Sequence, residues 1–303
     1  MSWAAQPDRD PNLRHSLRSR RAENRNQPSS RVPAFQGSEA RLHYVQHGEG
    51  PDIVWVSGGG GLATDWHPYQ IPFFEREFRN TTFDNRGVGA TQCDVPMPWP
   101  LESFARDAAE LIEAVCTPPV AIVGLSLGGA IVQQVAVDRP DLLRCCITMG
   151  TGARSVGWGW DYQKAEIEWR KAGNRLEGPM AVAHHAMMMY PAKVLGDREL
   201  WPKLRADLES WLSTDDAESS LIPQWEASLL YDQMEALPTC AVPMHVIAFA
   251  EDVQAPPQDG LELARLAGNG HYHEFEGMGH CSIYGHAQDV LNPFIRDLVL
   301  RYA

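Results

Sequence analysis

Lysine is nearly missing from this chain: only four of its 26 basic residues are Lys, and the rest are Arg. That bias, with much alanine, suggests a GC-rich bacterial genome and says nothing of fold. Cations are outnumbered by 39 acidic residues, for a net charge of −13. The chain therefore lacks the cationic surface that nonspecific nucleic-acid binding needs. No apolar run approaches the ~20 residues that span a bilayer, and no membrane association is expected. The N-terminus lacks the apolar stretch of a signal peptide, so a cytoplasmic protein is expected. The six cysteines, Cys93, Cys116, Cys145, Cys146, Cys240 and Cys281, form no CxxC pair and no regular spacing. Buried free thiols are expected of them, in place of a disulfide framework or zinc site.

What is present is enough chain, at 303 residues, for one large α/β domain or two small ones with a real core. The charge is unevenly placed. Residues 1–36 carry seven arginines against Asp8, Asp10 and Glu23, a net of +4, which leaves −17 for the remainder. Residues 1–31 are polar and without period, and read as a disordered basic tail.

Beyond the tail the chain turns β-rich. Arg41–Gln46 alternates like a strand, and Asp52–Ser57 reads as a short buried one. Further strands are expected at Thr81–Asp84, Val120–Gly124, Cys145–Met149, Pro243–Ala250 and His271–Phe275. Between them, helices are expected from Asp65 to Glu77, Ser103 to Val115, Ala130 to Val137, Pro257 to Leu266 and Gln288 to Tyr302. Strands alternating with helices imply a mostly parallel sheet covered on both faces. The rhythm breaks between residues 151 and 232, which hold helical stretches, the run Met187-Met188-Met189 and six of the ten tryptophans. The simplest division is a core of residues 32–150 and 233–303 with a helical cap at 151–232.

The sharpest motif is Gly124-Leu125-Ser126-Leu127-Gly128, which fits G-x-S-x-G. A buried strand enters it and a helix leaves it, the setting of a nucleophile elbow. The turn forces Ser126 into a strained backbone, and small neighbours avoid clashes. The Leu127 N–H then lies at a helix N-terminus. A serine nucleophile needs a base, and the base needs an orienting acid. The strand ending at Ala250 leads into Glu251-Asp252, and the last strand leads into Gly277-Met278-Gly279-His280. Both loops fall at the C-terminal edge of the sheet, where α/β sites lie. His280 is the base candidate, with His286 as its competitor. Asp252 is the acid candidate, with Glu251 as its competitor. An oxyanion hole needs two backbone N–H groups. Leu127 offers one, and the run Gly58–Gly61 offers the other through Gly59 or, alternatively, Gly60. The glycine run lacks a following GK[ST], which argues against a phosphate cradle.

With these residues placed, the chain resembles the α/β-hydrolase superfamily over about residues 32–303. The matching segments are Ser57–Gly61 followed by Trp66, Asp84-Asn85-Arg86-Gly87-Val88-Gly89, the elbow, Glu251–Pro257 and Gly277–His280. One departure is Ser57-Gly58, where that family usually has His-Gly. The resemblance implies an α/β-hydrolase fold and a cofactor-free and metal-free serine hydrolase, with a Ser126–His280–Asp252 triad, acting on an ester, lactone or thioester. Asp84 and Arg86 are structural in that reading. The arrangement is similar to small bacterial esterases and lactonases, among them methylesterases that tailor polyketides. Met149–Gly152 is similar to carbon–carbon bond hydrolases. The expected partner is a small apolar molecule, because Met and Trp in the cap suit an adaptable apolar pocket. A lyase or cyclase on the same scaffold, or a hydrolase-like receptor, are the competing readings.

Overall fold

A computed structural model describes residues 33–212 and 218–303. The expected basic tail lies outside the described residues. At the centre is a nine-stranded sheet of β1 (Ala34–Gln36), β2 (Ala40–His47), β3 (Asp52–Val56), β4 (Arg79–Phe83), β5 (Gln92–Cys93), β6 (Val120–Leu125), β7 (Leu143–Met149), β8 (Met244–Phe249) and β9 (Gly270–Phe275). The order is β1-β2-β4-β3-β6-β7-β8-β9, with β5 paired to β2. β2 runs antiparallel to β1, β4 and β5. From β4 to β9 every pairing is parallel. β3, β6 and β8 are buried along their whole length, which is why they read as largely apolar segments without polar alternation.

The helices are α1 (Ile71–Phe74), α2 (Leu101–Val115), α3 (Leu127–Asp138), α4 (Gly157–Lys171), α5 (Gly178–Met189), α6 (Ala192–Leu195), α7 (Trp201–Leu212), α8 (Glu218–Leu230), α9 (Pro257–Leu266) and α10 (Gln288–Leu300). One apolar cluster joins Val54, Ile122 and Val246 of the sheet to Phe104, Leu111, Ile131 and Leu263 on α2, α3 and α9. On the other face Ile53, Val123 and Ile147 pack with Trp66, Phe74, Leu291 and Leu298. Two helical layers thus cover the two faces of the sheet, as the alternating pattern implied.

Two expectations need correction. The single helix expected from Asp65 to Glu77 is a 3-10 turn, Ala63–Trp66, followed by the short α1. Pro68 has no N–H to continue the first turn, whereas Pro72 falls at the start of α1, where that donor is not needed. The short strands β1 and β5, of three and two residues, add to the expected set. Neither is long enough to display a period.

Among the described residues, 151–232 holds helices α4–α8 and no strand beyond one isolated bridge, Arg154 with Asp232. Val182, Ala186, Tyr190, Val194, Leu204 and Leu208 give this insert an apolar cluster of its own. Its two ends are tied together. The Gln233 N–H donates to the Ala153 carbonyl, and the Tyr231 hydroxyl donates to the Gly152 carbonyl at 2.9 Å. Gln133 and Gln134 of α3 hold the same junction, Gln133 through the Gly152 carbonyl and Gln134 through Gln233. No helix among the described residues is long and apolar enough to cross a membrane.

At the sheet edge three histidines stack. His245 on β8 lies opposite His271 on β9, with ring centroids 4.7 Å apart, and 5.3 Å from the His273 ring. Its ring nitrogens meet His273 Nε2 at 3.0 Å and the Tyr302 hydroxyl at 3.1 Å. Burial, then the neighbouring His271 and His273, holds His245 down to about 4. Burial also lowers His273. A histidine depressed in the fold is held neutral there, while the unfolded chain takes up its proton near pH 6.5. The contribution of His245 is therefore complete above about pH 6.5 and drains as pH falls toward 4, by up to about 3 kcal/mol. Urea unfolding between pH 7 and 4 should show this acid loss, and His245→Phe should flatten it. An unchanged pH slope in the variant would exclude His245 as its source.

Candidate active site

All of the candidate residues lie on loops that leave the C-terminal ends of parallel strands. Ser126 follows β6, Gly58–Gly61 follows β3, Asp252 follows β8 and His280 follows β9. This edge is where a parallel sheet gathers side chains from distant parts of the chain.

Ser126 has φ 55° and ψ −121°, and it is the one non-glycine residue with positive φ among the described residues. Close approach explains why this strain needs the flanking glycines. A Cβ on Gly124 would fall 2.2 Å from the Gly128 carbonyl oxygen, and one on Gly128 would fall 2.2 Å from the Val56 carbonyl oxygen. Neither position admits a side chain, so strand, turn and helix pack at backbone contact. The Ser126 N–H donates to the Met149 carbonyl at 2.9 Å, which ties the elbow to the end of β7. Ser126 is half-buried, and its Oγ has no hydrogen-bond partner among the described residues. Leu127 opens α3, so its N–H has no acceptor within the helix.

Asp252 and His280 are buried and in direct contact, with His280 Nδ1 donating to Asp252 Oδ2 at 2.7 Å. The other carboxylate oxygen accepts the N–H groups of Gln254 at 2.8 Å and Ala255 at 3.0 Å. Three donors thus fix the carboxylate. With Nδ1 carrying the proton, His280 Nε2 keeps a lone pair, the tautomer a general base requires. Gly150 packs against this pair: a Cβ there would lie 3.2 Å from Asp252 Oδ2 and 3.3 Å from His280 Nδ1. Its neighbour Met149 carries the carbonyl that holds Ser126. The last residue of β7 and the glycine that follows it therefore meet the two halves of the candidate triad.

The two competitors stand elsewhere. Glu251 is exposed, and its N–H donates to the Met278 carbonyl. His286 shares a hydrogen bond with the Ser282 hydroxyl at 2.8 Å, and burial lowers its pKa. Cys281, next to His280, is pushed up by burial and stays a thiol, so it is no rival nucleophile.

Within the glycine run the N–H groups have different fates. Gly60 donates to Gln224 Oε1 at 2.7 Å, and Gly61 donates to the Gly58 carbonyl at 3.1 Å. Gly59 makes no backbone hydrogen bond as donor among the described residues. A Cβ on Gly58 would sit 3.3 Å from Ser126 Cβ, so the run borders the serine directly. Of the two oxyanion candidates, Gly59 has its donor unengaged and Gly60 does not.

Ser57, standing where the resembled family usually has histidine, is buried and structural. Its hydroxyl donates to the Leu62 carbonyl at 3.1 Å and accepts the Trp66 indole N–H at 2.8 Å. Asp84 braces the same region by accepting the N–H groups of Ala63 at 2.8 Å and Ala90 at 2.9 Å. Arg86 is fully buried. It pairs with both oxygens of Asp107, reaches Glu39 at 3.0 Å and lies over the Trp99 and Phe104 rings. Both residues therefore hold loops.

The insert closes over these loops. Trp225 lies against Gly59, 3.1 Å from the place of a Cβ, and Leu221 and Trp211 lie against Gly60. Arg170 stacks on the Trp225 ring at 5.0 Å. Gln254, beside the acid, donates to the Met188 carbonyl at 3.0 Å, and the Cys281 N–H donates to the Met189 carbonyl. The expectation of an apolar pocket lined by the insert's Met and Trp divides here. Trp211 and Trp225 face the glycine run and Met187 lines a recess beside Asp252, whereas Trp158 and Trp169 are exposed. Gln224 had no signal in the sequence, since one glutamine in a helical stretch carries none. Among the described residues no group of three His, Cys, Asp or Glu side chains is arranged to hold a metal ion.

The model of the alpha/beta hydrolase family matches residues 53–292. The chain is 30% identical over 256 residues to a candidate non-heme bromoperoxidase, BpoC, of Mycobacterium tuberculosis, covering 84% of this chain and 96% of that one. It is 27% identical over 251 residues to a candidate carbamate hydrolase, RutD, of Stutzerimonas stutzeri, covering 80% and 90%. The crystal structure of BpoC from M. tuberculosis H37Rv matches with a TM-score of 0.80 at 27% identity, over 91% of this chain and all of that one. The enol-lactonase of Burkholderia xenovorans LB400 matches with a TM-score of 0.75 at 23% identity, over 88% and 100%, a likeness of fold alone.

Proposed function

The chain belongs to the alpha/beta hydrolase family, and from that premise we propose that it is a serine hydrolase cleaving an ester, lactone or thioester of a small apolar substrate. The observation that carries this reading is the buried contact from His280 Nδ1 to Asp252 Oδ2, taken together with the strained backbone of Ser126 at the same sheet edge. In the proposed cycle Ser126 Oγ attacks the substrate carbonyl while His280 Nε2 takes the hydroxyl proton. Asp252 holds the ring and stabilises the imidazolium that forms. The developing oxyanion lies between the N–H groups of Gly59 and Leu127. His280 then protonates the leaving group, and an acyl-Ser126 remains. Water attacks that ester with His280 again as base, which releases the acid and restores the serine.

The insert serves as the cap in this proposal. Trp225 and Trp211 bound the acyl side of the site, and large rigid rings there favour a compact apolar acyl group. The relatives named above carry different activities in their names, so none of them selects a leaving group for this chain. A carbamate places nitrogen on the same kind of carbonyl and belongs in the substrate panel.

The test is a fluorophosphonate probe together with p-nitrophenyl acetate, butyrate and an N-alkyl carbamate. Stoichiometric labelling at Ser126 with ester turnover is the expected result. Absence of labelling overturns the nucleophile. Labelling without net addition of water to any acyl substrate points to the lyase or cyclase reading.

A further inference from the structure

We propose that Gln224, on the insert, is a positioning residue for the oxyanion-hole loop, so that seating of α8 on the core completes the site. This rests on the hydrolase reading above. Gln224 is fully buried on a helix otherwise rich in apolar residues. Burying an amide is costly unless its groups are paired. Both of its partners are backbone groups of loops at the site. Oε1 accepts the Gly60 N–H at 2.7 Å, and Nε2 donates to the Arg86 carbonyl at 2.8 Å. One side chain of the insert thus bridges the loops after β3 and β4, and the second is anchored by the buried Arg86–Asp107 pair.

The bond to Gly60 has a specific consequence. Gly58–Gly61 is a turn closed by the Gly61 N–H on the Gly58 carbonyl, and Gly60 at φ 77° has the geometry of the third residue of a type II turn. The Gly59–Gly60 peptide is the central unit of that turn. With glycine at both central positions, sterics do not choose between the type I and type II orientations of this unit. Gln224 does choose, by placing an acceptor where the Gly60 N–H points. The Gly58 carbonyl and the Gly59 N–H share one peptide plane, so the turn's closing bond aims the Gly59 N–H, and a fixed Gly59–Gly60 unit holds the torsions on which that bond and its plane depend. Ser57 fixes the near end of the same loop through the Leu62 carbonyl and Trp66. Trp225, the next residue on α8, packs on Gly59. The loop is therefore held from the core side by Ser57 and from the insert side by Gln224.

Oxyanion donors act in the transition state, so loss of their aim lowers kcat and spares KM. Removing a donor outright costs about 10²–10³-fold, and loosening one should cost about 10–100-fold. Gln224→Leu removes both bonds. The expected result is that fall in kcat for p-nitrophenyl butyrate, an equal slowing of fluorophosphonate labelling and a KM within about threefold. Gln224→Glu supplies a second measurement. Protonated, it is isosteric and can still donate to the Arg86 carbonyl; ionised, it sets a charge against that carbonyl. Its kcat relative to wild type should therefore rise as pH falls. If Gln224→Leu does not fold, as judged by circular dichroism, the Gln224→Glu ratio decides alone. A wild type that labels and turns over while Gln224→Leu matches its kcat, or a flat Gln224→Glu ratio, overturns the positioning role. A wild type that neither labels nor turns over overturns the hydrolase reading instead.

Discussion

Ser126→Ala is expected to lower kcat by about 10⁴–10⁶-fold and to abolish fluorophosphonate labelling, with substrate binding little changed. The size follows from removing the atom that forms the acyl bond, since the remaining donors of Gly59 and Leu127 stabilise only an oxyanion made by direct attack of water. The backbone supplies an independent signature. Ser126 is held at φ 55°, a conformation that costs a non-glycine residue of order 1–3 kcal/mol. Alanine keeps that strain. Ser126→Gly relieves it at the expense of some unfolded-state entropy and should be as inactive as the alanine variant but more stable by about 1 kcal/mol. Thermal unfolding and turnover of the two variants check both statements. Wild-type rates in Ser126→Ala would remove the serine from the chemistry.

The contrast between these residues and Gln224 shows what the sequence could and could not disclose. The elbow was legible because its requirement is local: glycines two residues either side of a serine, between a buried strand and a helix. Asp252 and His280 were legible because strand ends in a parallel sheet put their following loops on one edge, and few titratable residues occupy those loops. The choice of Asp252 over Glu251 depends on burial. Asp252 is buried and Glu251 exposed, a difference that two adjacent carboxylates on one loop do not display in sequence. The choice of Gly59 over Gly60 depends on a partner 164 residues away in sequence. The helix expected at Asp65–Glu77 is broken for a local reason present in the sequence, since Pro68 has no N–H to carry the first turn onward and Pro72 marks a new helix start. The insert's tryptophans were read as a group, although a residue count cannot tell Trp225 against Gly59 from Trp158 in solvent.

Asp252→Asn should lower kcat by about 10⁴-fold while leaving the fold and KM nearly intact. The wild-type carboxylate offers one oxygen to the N–H groups of Gln254 and Ala255 and the other to His280 Nδ1. An asparagine has only one oxygen to offer. If it keeps the two backbone donors, its amide NH₂ faces His280 Nδ1, and donor meets donor unless the ring shifts its proton to Nε2. That tautomer presents N–H to Ser126 and cannot accept the hydroxyl proton. If the amide flips to satisfy Nδ1, two buried backbone N–H groups face an NH₂, at about 1–3 kcal/mol for each group left unsatisfied. The two backbone donors outweigh the one imidazole, so the unproductive tautomer prevails. Glu251→Gln, one residue earlier and exposed, should change kcat by less than about threefold, because only its backbone N–H, which the variant keeps, braces the loop that carries His280. The pair of variants therefore separates the acid from its neighbour. Full activity in Asp252→Asn with loss in Glu251→Gln would reverse the assignment, and equal loss in both would mean that the loop's conformation, rather than one carboxylate, holds His280.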